Sequence, residues 1–298
     1  MADGKATPGR RQAGGAGPQP EWLERALAQR GESRFADVPG GRLHYLAWNP
    51  AATHLPGLLF VHGYRAHAHF WDAIAPYFTG TYRVAAMDLS GMGDSAAREH
   101  YDARGFSDDI AAVIDHAGLG PAVVAGHSYG GARSLRAAAQ YPERVRHVIA
   151  IDSICRLDDS HCAPVVAPRR RTEPFPDHAM ALARYRLVPA QPCDQPWLVE
   201  HVAHHAIRPV PGGWLWKFDP ALPAGPHEGD MTPILARLRI PVDYLRGEFS
   251  PVVSRESAAA IVARLPRGRG PVEIPGSYHY PMLDQPFALI AALRALLA

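Results

Sequence analysis

The segment that most constrains this chain lies between residues 122 and 141, where an apolar run meets a glycine-rich turn and then a helical pattern. The apolar run is AVVA (residues 122–125), and GHSYGG (residues 126–131) follows it directly. A G-x-S-x-G sequence between a strand and a helix is typical of a sharp turn that presents the serine hydroxyl above the end of the strand. Small neighbours keep such a turn free of clashes. We therefore predict that Ser128 is a nucleophile.

The rest of the chain alternates short apolar runs with helix-like segments. Strand-like runs occupy residues 58–61, 82–87, 122–125, 148–151, 241–245 and 272–274, and helix-like segments occupy residues 70–78, 107–117, 132–141, 255–265 and 287–297. Nearly continuous apolar runs suit strands that are buried on both faces. The alternation therefore predicts an α/β fold with a mostly parallel sheet. Ahead of it, we expect a short helix over residues 21–30 and a strand pair over residues 34–48.

The strand rhythm stops after residue 151 and resumes at residue 241. The stretch between them is rich in Pro, His and Trp, and we interpret residues 154–238 as a cap inserted into a core of residues 21–153 and 239–298. A basic run at residues 169–171 is expected to be a solvated loop. Residues 1–20 lack an apolar core, so we expect a disordered tail rather than a secretory signal.

Composition excludes several classes of function. The 298 residues carry a formal net charge of +2, which favours neither nucleic acid nor a membrane surface as a partner. No apolar run is long enough to span a bilayer. Three scattered cysteines cannot form a disulfide framework, so we expect a cytoplasmic protein. No motif indicates a cofactor, and nothing in the sequence indicates an oligomeric state.

Two main-chain N–H groups are candidates for an oxyanion site. The sequence HGYR (residues 62–65) follows the strand-like run at residues 58–61, and Gly63 lets the chain bend close to the nucleophile. Acyl transfer needs two fixed donors aimed at the developing oxyanion, and backbone amides supply them without reorganisation. We predict the amides of Tyr64 and Tyr129 in this role. His62 is expected to brace the loop rather than to act as a base.

The candidate base is His279, which lies in PGSYHYP (residues 275–281) between the last strand-like run and the last helix-like segment. A serine hydroxyl is a weak nucleophile until a base removes its proton, and histidine does this best near neutral pH. Of the histidines in the chain, His279 is the one that follows a late strand in the required order. Ser128 and His279 thus form a predicted pair.

Taken together, these motifs resemble the α/β-hydrolase fold. The matching elements are residues 62–63, DLSGMGDS (88–95), GHSYGG (126–131), YPERV (141–145) and GSYH (276–279), in the order that the family requires. The resemblance implies an eight-stranded, mostly parallel sheet flanked by helices, with a helical cap. It also implies hydrolysis of a small-molecule substrate. It says little about which substrate, because one fold hosts many reactions.

One departure from the family pattern concerns the acid of the triad. Most relatives have an Asp in the turn after the strand that here covers residues 242–245, but this chain has Ser250 at that position. A hydroxyl cannot offset the positive charge that develops on the histidine. Asp152, at the end of the strand before the cap, is the favoured replacement, as in haloalkane dehalogenases. Glu248 is the alternative.

The cap offers candidate pocket residues but no readable substrate code. Trp214 and Trp216 alternate as in an extended segment, and we place them with His62 and Trp71 among the candidate pocket residues. His201, His204 and His205 have helical spacing, and two His four residues apart can share a metal. No distant further ligand is evident in the sequence, so we predict no metal site.

The favoured function is hydrolysis of carboxylic esters or lactones of a small, largely apolar substrate through an acyl-enzyme. A serine at the elbow disfavours dehalogenase and epoxide hydrolase chemistry, because those enzymes use a carboxylate nucleophile. Two alternatives remain open at this point: hydrolysis of carbon–carbon bonds in ring-cleavage products, and ligand binding without catalysis.

Overall fold

A computed structural model describes residues 18–157, 173–223 and 229–298. Its described residues form ten strands: β1 (Glu32–Val38), β2 (Gly41–Trp48), β3 (Gly57–Val61), β4 (Arg83–Met87), β5 (Ala122–His127), β6 (Val145–Ile151), β7 (Ile207–Val210), β8 (Gly213–Trp216), β9 (Val242–Gly247) and β10 (Gly268–Ile274). Eight of these form one sheet in the order β1-β2-β4-β3-β5-β6-β9-β10. The pairs β1–β2 and β2–β4 are antiparallel and the others are parallel. The predicted α/β-hydrolase architecture is confirmed.

The helices of the described residues precede, separate and follow the strands. They are α1 (Glu21–Ala28), α2 (Ala103–His116), α3 (Tyr129–Gln140), α4 (His178–Ala183), α5 (Pro196–His205), α6 (Thr232–Leu235), α7 (Arg255–Ala263), α8 (Pro281–Asp284) and α9 (Pro286–Leu297). The helix expected over residues 70–78 is instead two 3-10 turns, Ala68–Trp71 and Ala75–Phe78. Pro76 explains the break, since it lacks an N–H and disfavours α-helical backbone at Ala75.

The core is built on both faces of the sheet. Alternate residues of one strand enter different apolar clusters: Leu59 and Val61 pack on one side, and Leu58 and Phe60 pack on the other. Successive side chains of a strand point to opposite faces, so a continuous apolar run fills both layers. This is the physical reason why the central strands could be predicted from short runs of apolar residues in the sequence.

The segment between β6 and β9 contains α4, α5, the hairpin β7–β8, and α6. The hairpin adds two strands to a stretch expected to be a helical cap, and β8 includes the extended segment expected at Trp214 and Trp216. Its two-residue turn is Pro211-Gly212, and Gly212 has φ +86°, which the second central residue of a type II turn requires. Residues 1–17 and the basic run at 169–171 lie outside the described residues. Among the described helices, none has the length and apolarity needed to cross a membrane.

Candidate active site

Ser128 occupies the sharp turn between β5 and α3. Its backbone has φ 51° and ψ −118°, and its N–H donates to Ile151 O at 2.8 Å. A non-glycine residue at positive φ costs about 1–3 kcal/mol, so the surrounding packing must hold the turn in place. Gly130 makes that packing possible, because a Cβ there would lie 2.3 Å from His62 O. The turn at Ser128 and the start of α3 therefore pack closely against the carboxyl end of β3.

The loop after β3 lies directly beside the elbow. A Cβ on Gly63 would lie 2.9 Å from His127 Nδ1 and 3.4 Å from Ser128 Cβ. Within the described chain, the main-chain N–H groups of Tyr64 and Tyr129 donate to no protein acceptor. Tyr129 is the first residue of α3, where N–H groups are free of intrahelical bonds and the helix dipole is positive. The structure thus places both predicted donors next to Ser128.

Asp152 is joined to His279 by a short hydrogen bond. Nδ1 of His279 donates to Oδ2 of Asp152 at 2.6 Å, and the carboxylate is fully buried. Ser250 Oγ donates to the same oxygen at 2.6 Å, and Gly247 N donates to Oδ1 at 3.0 Å. With Nδ1 as donor, Nε2 of His279 carries the lone pair that a base needs. The serine at the usual acid position therefore supports the carboxylate instead of replacing it.

Glu248 lies apart from this pair. Its Oε2 accepts from Gly276 N at 2.9 Å, and no hydrogen bond in the described residues links it to His279. The contact holds the loop that leads to His279. Of the two acids that the sequence left open, the structure brings only Asp152 to the imidazole.

The loop that carries His279 is held from several sides. Gln191 Oε1 accepts from the N–H of His279 at 2.9 Å and of Tyr280 at 3.2 Å. His127 Nε2 donates to His279 O at 2.7 Å. Burial, with the neighbouring His279, lowers the pKa of His127 well below its usual value, so His127 is neutral. The His279 ring is fixed in place before any substrate binds.

Ser128 and His279 line one cavity of about 350 Å³. No hydrogen bond joins their side chains in the described structure, which is common before a substrate is bound. Aromatic side chains form part of the wall, among them Phe70, Trp216 and Phe218. The described lining also includes four basic residues and no acidic one: Arg65, Arg184, Arg186 and Lys217.

Comparison with known proteins places this geometry in a family. A family model described as alpha/beta hydrolase fold matches residues 56–203. An esterase of Mycobacterium tuberculosis is 30% identical over 296 residues, which cover 96% of this chain and 92% of that protein. This chain belongs to the α/β-hydrolase family. As expected from the elbow motif, it is a hydrolase.

Three further comparisons extend over most of the hydrolase. The 2-(acetamidomethylene)succinate hydrolase of Mesorhizobium japonicum is 32% identical over 234 residues, 76% of this chain and 82% of that protein. A crystal structure of E-2-(acetamidomethylene)succinate hydrolase superposes with a TM-score of 0.77 at 27% identity, covering 90% of this chain and 99% of the other. The M. tuberculosis esterase structure gives 0.71 at 25% identity, covering 93% and 96%.

Three of the four residues proposed for the pocket wall of the hydrolase lie elsewhere. His62 is fully buried as a brace: its Nδ1 donates to Gly63 O at 2.6 Å and its Nε2 accepts from Leu89 N at 3.1 Å. Trp71 is fully buried and stacks on Phe60 with ring centroids 4.6 Å apart. Trp214 packs against His178 at 4.6 Å. Of these four residues, only Trp216 lines the cavity.

Sequence reasoning missed several residues that build the hydrolase site. Ser250 was noted only as an unsuitable acid, Gln191 carried no signal, and His127 was hidden as the variable residue of the elbow motif. Asp284 was also missed: it accepts from Tyr278 N at 2.8 Å and from Gln191 Nε2 at 2.9 Å. A polar residue just after the His279 loop is the one signal that could have found it.

Proposed function

We propose that this hydrolase cleaves small carboxylic esters or lactones through an acyl-enzyme on Ser128. The observation that carries the proposal is the 2.6 Å bond from His279 Nδ1 to the buried Asp152, at a cavity that Ser128 also lines. That bond fixes the tautomer in which Nε2 accepts a proton. A nucleophile, its base and an orienting carboxylate are the parts that covalent acyl transfer requires.

Each proposed step follows from this arrangement. Ser128 Oγ attacks the carbonyl carbon while His279 Nε2 takes its proton, and the amides of Tyr64 and Tyr129 hold the resulting oxyanion. When the tetrahedral intermediate collapses, the ester C–O bond breaks and the alcohol leaves with the proton from His279. Water then attacks the acyl-enzyme, with His279 as base, and releases the acid and free Ser128.

Asp152 has a distinct part in this scheme. Its buried carboxylate offsets the imidazolium charge that develops on His279 in both transition states. Donors from Ser250 and Gly247 stabilise the ionised form, since hydrogen bonds to a carboxylate favour its charge. The segment between β6 and β9 supplies Trp216 and Phe218 to the cavity, so we assign it the role of a substrate-selecting cap.

The experiment that tests this proposal combines turnover with covalent labelling. We expect wild-type protein to hydrolyse a series of p-nitrophenyl esters and to react with a fluorophosphonate probe. Mass spectrometry should place the adduct on Ser128 and not on the buried neighbours Ser134 or Ser153. Heat-denatured protein, in which His279 no longer activates the hydroxyl, is the control and should stay unlabelled. A folded protein without an adduct would favour ligand binding without catalysis.

The basic cavity residues favour a more specific class of substrate, an ester that also carries a carboxylate. Lys217 is paired with Asp94 at 2.7 Å, but the three arginines of the cavity face no acidic residue in the described lining, and this arrangement favours an anionic group on the substrate. The relative from M. japonicum is named for a succinate, which is itself an anion. An apolar part of the substrate would still contact Phe70, Trp216 and Phe218.

Substitution of two exposed cavity arginines tests this substrate class. We expect the double variant Arg184→Gln, Arg186→Gln to raise KM for a carboxylate-bearing ester by about 1.4- to fivefold for each arginine–carboxylate ion pair lost, since exposed ion pairs contribute roughly 0.2–1 kcal/mol each. KM for a neutral ester of the same length should change less than this. Arg208→Gln, which removes an exposed arginine of β7 that does not line the cavity, is the matched control. Equal changes for both esters would contradict the assignment.

A further inference from the structure

Four metal-ligating side chains meet where the cap segment contacts the core. His69 and Asp72 come from the 3-10 turn after β3, and His201 and His205 come from α5. One ligand atom from each of the four lies within 4.8 Å of the others. No distant further ligand for the cap histidines is evident in the sequence, which is why no metal site is predicted from it. The fold supplies the further ligands from residues about 130 positions earlier in the chain: Asp72, for example, forms a hydrogen bond with His201.

Local backbone geometry explains why each pair faces the same way. His201 and His205 are four residues apart in an α-helix, and His69 and Asp72 are three apart in a 3-10 turn, where side chains at i and i+3 eclipse. Each short segment therefore presents two ligands on one face. The two faces oppose each other across the boundary between cap and core.

The side chains are already in mutual contact. His69 Nδ1 and His201 Nε2 each lie 2.8 Å from Asp72 Oδ2, and the rings of His69 and His205 stack with centroids 3.5 Å apart. Ligands bound at about 2.0–2.1 Å in a tetrahedron lie about 3.3 Å apart, so small rotations of these side chains suffice to enclose an ion. His69, Asp72 and His201 retain 15–19% side-chain exposure, which leaves a path for entry.

The charge of the cluster suits a divalent cation. Asp72 accepts hydrogen bonds from both His69 and His201, so the cluster combines one carboxylate with three imidazoles. Three imidazoles with one carboxylate form a donor set of intermediate softness, which Zn²⁺, Ni²⁺, Co²⁺ and Cu²⁺ prefer over Mg²⁺ or Ca²⁺.

We propose that His69, Asp72, His201 and His205 bind one transition-metal ion of the zinc type, which links α5 of the cap to the core beside the active site. The site is separate from the catalytic groups but borders their cavity. His67, which lines that cavity, donates from Nε2 to Val202 O of α5 at 2.9 Å. An ion that holds α5 against the turn at residues 68–71 thus fixes one wall of the cavity.

The test uses full-length protein freed of metal by a chelator and titrated with Zn²⁺ and, separately, Co²⁺. We expect one ion per chain by calorimetry and the absorption of tetrahedral Co²⁺ with nitrogen and oxygen ligands. Zn²⁺ at about a hundred times its Kd should raise Tm, because the ion binds the folded state only. Loss of a residue that only hydrogen-bonds to a metal ligand typically lowers metal affinity by roughly 10- to 100-fold. His69→Gln and His201→Gln each remove a ligand itself, so each should lower the affinity for Zn²⁺ by more than this.

Matched variants separate this site from chance binding. His204→Gln changes a histidine of the same helix that lies near Glu200 instead, 3.9 Å away, and should leave affinity unchanged. His279→Gln should also leave the metal affinity and the Co²⁺ spectrum unchanged. The proposal is overturned if His279→Gln or His204→Gln abolishes Zn²⁺ binding. It is also overturned if His69→Gln and His201→Gln, shown to be folded by a thermal unfolding transition, bind Zn²⁺ as tightly as wild type. Absence of saturable Zn²⁺ binding by the wild type would overturn it as well.

Discussion

Replacement of Ser128 with Ala is expected to lower kcat for a p-nitrophenyl ester by on the order of a million-fold, the loss typical of a serine nucleophile that acts as a unit with its base. The hydroxyl is the atom to which the acyl group is transferred, so no neighbouring group can take over its part. Residual rate would come from the oxyanion donors and from substrate binding alone. The measurement is steady-state kinetics with a protein preparation free of contaminating esterase.

A nearby serine serves as the control for this change. Ser134 lies six residues further along the chain, within α3, and its buried hydroxyl donates to Gly130 O at 2.7 Å. Ser134→Ala should remain within a few-fold of wild-type kcat, because it removes a bond within the helix and no reacting atom. Both variants should keep the wild-type circular dichroism spectrum. A Ser128→Ala protein that turns over at a wild-type rate would disprove the acyl-enzyme.

Replacement of Asp152 with Asn is expected to lower kcat by about ten-thousand-fold, whereas Glu248→Gln should change it only a few-fold. An amide at position 152 can donate to Nδ1 of His279, which then favours the tautomer that places the proton on Nε2 and blocks its action as a base. It also removes the charge that stabilises the imidazolium. Glu248 bonds to Gly276 N and touches neither reacting group, so its loss affects only the loop.

The position of the carboxylate can be tested further by relocation. In the wild type, Ser250 Oγ lies 2.6 Å from the carboxylate of Asp152. In the Asp152→Asn background, Ser250→Asp would therefore place a new carboxylate close to the position of the one that was removed. We expect a partial recovery of kcat in this double variant, while Glu248→Asp in the same background should recover nothing. A loss in Glu248→Gln that equals the loss in Asp152→Asn would reverse the assignment of the acid.

Local sequence was enough to predict the sheet and the elbow. The apolar runs of β3, β5 and β6 are short and continuous because both faces of a central strand are buried, and this composition is visible in a few neighbouring residues. The turn at Ser128 is likewise encoded within six residues. The 3-10 turns at residues 68–78 and the pairing of β7 with β8 were not predicted, because their apolar spacing is ambiguous and single residues, Pro76 and Gly212, decide their backbone.

By itself, the sequence determined the fold family, the sharp turn at Ser128 and the order in which Ser128, Asp152 and His279 occur along the chain. Tertiary structure alone decided which acid meets the histidine, since Asp152 and His279 are 127 residues apart and Glu248 is closer along the chain but faces away. It also decided that His69 and Asp72 meet the histidines of α5. Local periodicity specifies the direction of a side chain within its own element, whereas a contact between elements depends on how their apolar faces pack.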